Sequence, residues 1–246
     1  LSAAYEMCFY NPGTPPWNTT SGAGAWGADH AHPLRVTRAG DWMIASWAFA
    51  EGGHGIIGIG PDGLKKWGEK RGGLHIAADE NYVYAVPAGW HLKQEVIIRL
   101  DKKKGTYAPF VLNGKPRPFE LPLKDILEGK TTGSINTIAA HGKMLAVALK
   151  VGASGAVPHR PEHANDKPNA AAAAGKVAIL DIETAKLQKL ISTPLLSSMA
   201  FSPRGRLYGV ANGTVVRVDI TAGKTSSVKT PGLAKASAVA VDHDGN

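Results

Sequence analysis

The stretch Ser198-Met-Ala-Phe-Ser-Pro-Arg-Gly-Arg-Leu-Tyr-Gly-Val210, continued by Val215-Val-Arg-Val-Asp219, decides the fold. It has a grammar: a short apolar strand, a tight turn at Pro203-Arg-Gly205, a second apolar strand, a brief loop, and a third strand ending on an acidic turn. Working outward, the same grammar recurs three times upstream. Leu34 to Trp47 is followed by Gly55-Ile-Ile-Gly-Ile-Gly-Pro-Asp-Gly63, Leu74 to Val86 by Val96-Ile-Ile-Arg-Leu-Asp101, and Ile135 to Ala148 by Val177-Ala-Ile-Leu-Asp181. A fifth unit opens at Ala238-Val-Ala-Val-Asp-His-Asp-Gly-Asn246. The equivalent first-turn positions Asp41, Asn81, Gly142, Gly205 and Gly245 are 40, 61, 63 and 40 residues apart. A compact repeat of about 40 residues lies in the period of propeller blades.

The two long intervals carry insertions between strands, where surface loops tolerate extra length at small entropic cost. One is a Pro-rich connector from Asn113 to Thr132, with a short helix expected over Leu121 to Glu128. The other is an Ala/Pro-rich loop from Gly152 to Gly175. Asp101, Asp181 and Asp219 close the third strand of three units, where a hairpin favours a side chain that bonds its own backbone. A fourth, outer strand is expected after each turn, at Leu64 to Trp67, Tyr107 to Leu112, Lys186 to Ile191 and Thr225 to Lys229. Four antiparallel strands per unit, repeated radially, predict an all-β protein, a β-propeller of four-stranded antiparallel blades. The blades are expected over 34–70, 71–132, 133–193 and 194–231, with a partial one over 232–246. Residues 1–33 read as a partial blade strand at Ala4 to Tyr10 and a long loop leading to the first blade.

The fourth unit and Ser237-Ala-Val-Ala-Val-Asp-His-Asp-Gly-Asn246 resemble the repeats of NHL-type and SMP-30/gluconolactonase-like β-propellers. That resemblance implies a six-bladed ring, of which about four complete blades plus partial ones are a fragment, so the chain reads as part of a longer one. It also implies a secreted or periplasmic setting, and in the lactonases a metal held by Glu and Asn/Asp. The chain departs from that ligand set, with Ser197-Ser198-Met199 where the family's Ser-Asn-Gly would stand and Ala211 at the position of a metal-binding Asp.

Composition agrees with a turn-dense β-protein: Gly at 29 and Pro at 16 in 246 residues exceed ordinary usage. A single cysteine, Cys8, excludes an internal disulfide framework. No apolar run approaches the roughly 20 residues of a membrane-spanning helix, and no membrane partner is expected. The net charge of +8 would suit a polyanion, but Lys65-Lys66 and Lys102-Lys-Lys104 fall in third-to-fourth strand turns, opposite the histidine-bearing loops. They read as solvated charge on hairpin tips, and nucleic acid is not an expected partner.

In a propeller, the loop between second and third strands and the loop leading into the first strand share one face. By that rule Asp29, His30 and His32 precede the first strand, His54 lies in the next such loop, and Trp90 with His91 occupies the loop of unit two. These six are the candidate ligand-binding residues. His159 and His163, with Glu162 and Asp166, fall in the same loop of unit three. Imidazole nitrogen is a good ligand for zinc and its neighbours, so His30, His32, His54 and His91 form a candidate site for a divalent metal ion. A solvated or backbone-bonded side chain is the alternative for each. His75 and His141 fit core-strand and turn roles. Trp90 beside His91 is suited to a sugar face, whereas Trp17 and Trp26 pin the long first loop and Trp42, Trp47 and Trp67 pack between blades. No nucleophile elbow, phosphate-cradling loop or dinucleotide fingerprint occurs. Two functions follow: a non-catalytic module binding a carbohydrate or protein partner through this loop face, or a metal-dependent hydrolase or lyase there, with Glu51 or Glu162 as base.

Overall fold

The structure is a computed structural model that describes residues 31–49, 54–69, 73–87, 96–112, 114–117, 120–127, 133–151, 174–229 and 235–241. Four antiparallel four-stranded sheets account for nearly all of the regular structure. The chain divides into two compact units, residues 1–93 with 98–108 and residues 94–97 with 109–246.

In the first unit, β1 (Ala31–Ala39), β2 (Trp42–Phe49), β3 (His54–Ile59) and β4 (Lys65–Glu69) pair in chain order. The second sheet has the order β10–β7–β6–β5, from β5 (Gly73–Ala78), β6 (Tyr82–Pro87), β7 (Val96–Asp101) and β10 (Glu120–Pro122). Alternate residues set the faces. Trp42, Ile44, Ile56 and Trp67 of the first sheet join Ile76, Val83, Ala85, Ile98 and Leu100 in one buried cluster, while Ala45, Ile57 and Ile59 form another on the first sheet's far side. Burying one Ile or Val side chain contributes about 1.5–3 kcal/mol, so these uninterrupted apolar strands are the source of cohesion. The first strands β1 and β5 lie side by side.

Trp67 is the wedge of that unit. It pairs with Gly58 across β3–β4, its ring occupies the space above Gly58 and against Gly105, and its Nε1 donates to the Lys102 carbonyl at 2.7 Å. Only glycine leaves room at both positions, and Gly105 also sits at φ +67°, where a Cβ is strained.

In the second unit, β11 (Gly133–His141), β12 (Met144–Val151), β13 (Ala174–Asp181) and β14 (Leu187–Pro194) pair in order, as do β15 (Ser198–Phe201), β16 (Leu207–Ala211), β17 (Thr214–Asp219) and β18 (Lys224–Ser227). Ala146, Val177, Ile179 and Ile191 pack with Leu196, Leu207, Val216 and Val218 between the two sheets. First strand lies by first strand, β11 by β15, and fourth by fourth, β14 by β18, which is the fanned stacking of propeller blades. Asn136 Nδ2 donates to the Leu196 carbonyl at 2.6 Å, and Lys189 Nζ to the Thr221 carbonyl, adding polar ties across the same pair of sheets.

The aspartate turns form as the sequence predicts. Asp101 Oδ1 accepts from the Lys103 and Lys104 amides, both at 2.9 Å, Asp181 Oδ1 from Glu183 (3.0 Å) and Thr184 (2.8 Å), and Asp219 Oδ1 from Ala222 at 2.8 Å. Three turns then end on a left-handed residue, Gly105, Ala185 or Gly223. The Thr184 amide bond is the main reason that the Asp181 carboxyl is held below its ordinary value.

Three local expectations differ. The stretch Tyr107 to Leu112 is not an outer strand: Tyr107 makes a lone bridge to Leu100, and β8 (Phe110–Leu112) turns back on β9 (Lys115–Arg117) as a separate hairpin. Pro109 interrupts that stretch and cannot donate to a ladder. The expected helix is present as α1 (Leu123–Leu127). The first strand starts at Ala31 rather than Leu34, because a β-bulge between Pro33 and Arg35 lets the pairing continue past Leu34. Ala238 to Val241 forms no strand. It lies against the fourth sheet instead, with Val239 packed near Val210 and Val215 and its amide donating to Ser198 Oγ at 3.2 Å.

Gly58→Ala and Gly105→Ala are each expected to lower stability by about 2–4 kcal/mol, since the new methyl meets the buried indole. Gly63→Ala, at φ +75° with open space around it, should cost only about 1 kcal/mol. Urea unfolding of the three variants tests this ordering, and equal losses would refute the wedge.

Candidate functional site

Antiparallel register, rather than loop conformation, is what brings two of the candidate histidines together. His32 pairs with Ala48 across β1–β2, and Ala48 pairs with His54 across β2–β3. The two histidine positions therefore occupy one transverse row of the first sheet, two strands apart, at roughly 10 Å between backbones from the usual strand spacing. Both belong to strands, where the sequence expects loops: His32 is the second residue of β1 and His54 the first of β3. Asp29, His30, Trp90 and His91 lie outside the described residues, as do Glu51, His159, Glu162, His163 and Asp166. Among the described residues no three His, Cys, Asp or Glu side chains come together as a metal site.

Two histidines take the structural roles expected of them. His141 ends β11 and stacks on Phe201, ring centroids 5.7 Å apart. His75 sits in β5 just after a bulge between Gly73 and His75, with Nδ1 buried and no hydrogen-bond partner. Burial first, and the Arg35 charge second, bring its pKa down from 6.5 to about 4, so the imidazole is neutral near pH 7. The bulge is itself a repeat feature. β1, β5 and β11 each carry one at the corresponding place, between Pro33 and Arg35, Gly73 and His75, and Ile135 and Thr137. A bulge re-aims the side chains around it, and Asn136, inside the third, is the residue that reaches Leu196.

The second sheet holds a buried polar chain that sequence reasoning passed over. Tyr84 is fully buried and donates its hydroxyl to Asp79 Oδ2 at 2.8 Å, while Asp79 Oδ1 accepts the Asn81 and Tyr82 amides at 2.7 and 2.8 Å. Arg99, opposite Tyr84 in register, lies 4.4 Å over the Tyr82 ring. Desolvation and the Asp79 carboxylate push the Tyr84 phenol well above its ordinary range, so it stays a proton donor in this bond. The arrangement suits positioning of the Asp79–Tyr82 turn. A Tyr three residues beyond a turn Asn, opposite an Arg in the next strand, was the available signal in Asn81-Tyr-Val-Tyr84 and Arg99.

At the other end of the first sheet, the strand turns frame an open groove of about 540 Å³. Val36, Met43, Ile59 and Pro61 supply apolar surface, and Arg38 and Asp41 supply charge. Val36 is 48% exposed, an apolar side chain beside the exposed Arg35 and Arg38 of the same strand.

No family model matches the chain, and no curated protein matches it. Among solved structures, the chain is similar to the β-propeller domain of Myceliophteria thermophila Cps50 (Swd1), with 11% identity, a TM-score of 0.50, and 87% of this chain aligned to 60% of that one. The Dos1 propeller aligns with 10% identity and a TM-score of 0.47, over 87% of this chain and 51% of that one. A chain of a mitotic checkpoint complex aligns with 8% identity and a TM-score of 0.47, over 79% and 50%. The chain thus spans about 60% of the length of the Cps50 (Swd1) domain. Strand order and this likeness identify the fold as a β-propeller of four-stranded antiparallel blades.

The His75 geometry carries a pH dependence. The unfolded chain takes up a proton near pH 6.5 and the folded one only near pH 4, so stability is full above pH 6.5 and is lost as pH falls toward 4. The loss attributable to this residue is on the order of 3 kcal/mol. In urea unfolding at pH 7 and pH 4.5, His75→Gln should lose markedly less on acidification than the parent protein. Parallel losses would remove His75 from the account.

Proposed function

We propose that the chain is a non-catalytic binding module of an NHL-like β-propeller, recognising a protein or carbohydrate partner through the face that carries Asp29, His30, His32, His54, Trp90 and His91. The supporting observation is the row His32–Ala48–His54, which sets two polar, aromatic-ringed residues at one end of a sheet whose interior is apolar and locked. A stiff scaffold with polar side chains at strand starts suits recognition, because little order has to be gained on binding. A protein partner and a carbohydrate are the two ligand classes, Trp90 being the residue suited to a sugar face.

The same row favours one second reading. Two imidazoles of one row, with His30 and His91 from the adjoining segments, would hold a divalent ion and support a hydrolase or lyase.

Panning a random peptide library and a glycan array on the untagged protein, then measuring the best ligand by calorimetry, tests the first reading. The His32→Ala/His54→Ala variant should weaken that ligand at least tenfold with an unchanged melting temperature. A stoichiometric zinc, manganese or nickel ion in the parent protein, expelled by the same variant, would replace binding with the metal reading. Ligands that bind both proteins equally would refute the face.

A further inference from the structure

The three aspartate turns are an internal comparison of one backbone device with three sets of side chains. Each needs an Asp to accept backbone amides and a left-handed residue to end it, and the one intervening side chain that bonds the turn Asp among the described residues is Thr184, whose Oγ1 donates to Asp181 Oδ1 at 2.9 Å. In the second unit those intervening residues are Ile182-Glu-Thr184 and Ile220-Thr-Ala222, with Glu183 paired to Lys143 at 3.2 Å. In the first unit they are Lys102-Lys-Lys104. Three adjacent lysines repel one another, and the turn would close as well without them.

The first of the three is used internally. Lys102 is 8% exposed, its carbonyl receives Trp67 Nε1, and its Nζ reaches the Ala39 carbonyl at 3.4 Å. Its amide donates to the Asn81 carbonyl at 2.9 Å, so the turn is held from three sides. Lys103 and Lys104 are exposed, their amides are engaged by Asp101, and among the described residues no carboxylate forms an ion pair with their ammonium groups. Arg38 lies close to this turn, since its Nε donates to the Gly40 carbonyl and Lys102 Nζ stands beside Gly40. In the β3–β4 turn, Asp62 is taken by Lys66, whose hydrogen bond keeps its carboxyl below the ordinary value.

We propose that the Lys102–Lys104 turn, with Arg38, is a docking site for an acidic segment of a protein partner. This second surface lies at the turn end of the first unit, whereas the His32–His54 row lies where β1 and β3 begin. The exposed Lys103 and Lys104 ammonium groups ride on a turn fixed by Trp67, Asp101 and Gly105, so a run of carboxylates meets charge already in place and little backbone order is lost on binding. The proposal does not depend on the histidine-bearing face, and each can fail alone.

The test uses fluorescein-labelled octaglutamate as the probe and fluorescence polarisation as the readout, at 25 and 150 mM NaCl. Lys103→Glu/Lys104→Glu should weaken binding about tenfold, and the parent affinity should fall with salt as surface charge is screened. Lys186→Glu/Lys224→Glu changes the net charge equally but at exposed positions of the second unit, and should change affinity less than twofold. Thermal melts of both variants confirm folding. Equal losses in the two variants would reduce the effect to overall charge and overturn the site, as would failure of octaglutamate to bind at 25 mM NaCl. A 12-residue oligouridylate that binds the same turn more tightly than octaglutamate would overturn the choice of a protein partner.

Discussion

A carboxylate accepting the amides of the next two or three residues is the interaction on which the described architecture rests. It ends the third strand in three of the four sheets, using Asp101, Asp181 and Asp219, and at Asp181 and Asp219 it leads straight into the fourth. The fourth strand carries the side chains that reach the neighbouring sheet, Trp67 of β4 in the first unit and Lys189 of β14, which the Asp181 turn starts, in the second. Both end on a carbonyl of the next sheet's aspartate turn, at Lys102 and Thr221. The turn is therefore a local closure and a receptor for its neighbour at once, and the two units reach that result with different chemistry. An indole does it with apolar area and one donor, an ammonium with charge alone.

This dual use explains the distribution of glycine. Gly58 and Gly105 are required because an indole passes over both, and Gly105 because the turn ends in a left-handed conformation. Ala185 holds that same conformation at φ 55° without glycine's freedom, a cost the second unit accepts where its Cβ is buried. The two proposed binding surfaces are likewise set at strand ends of the first unit. The histidine row sits where β1 and β3 begin, and the lysine turn sits where β7 ends.

Parts of this were legible in the residues. The Asp positions and the 40-residue spacing announce the repeat because turn chemistry and strand alternation are local properties. The placement of His75 and His141 in structural roles was readable from their strand and turn contexts. Other parts were not. The bulges at Leu34, Leu74 and Asn136 leave no compositional mark, since an extra residue in one strand is defined only by the partner it skips. The Tyr84–Asp79 bond and the Arg99 placement depend on which residue of β7 stands opposite Tyr84, and register is a property of the pair.

The sequence by itself determined the strand periodicity, the aspartate turns and the class of fold, because each follows from the φ/ψ preferences and side-chain reach of residues close together in the chain. Only the tertiary structure decided that His32 and His54 share a row, that Phe110 to Leu112 leaves the sheet for a hairpin, and that Trp67 rests on a turn 35 residues away. Those outcomes depend on pairing register and on which faces exclude water together. Neither is encoded at one position, because both arise when distant strands compete for the same hydrogen bonds and the same apolar surface.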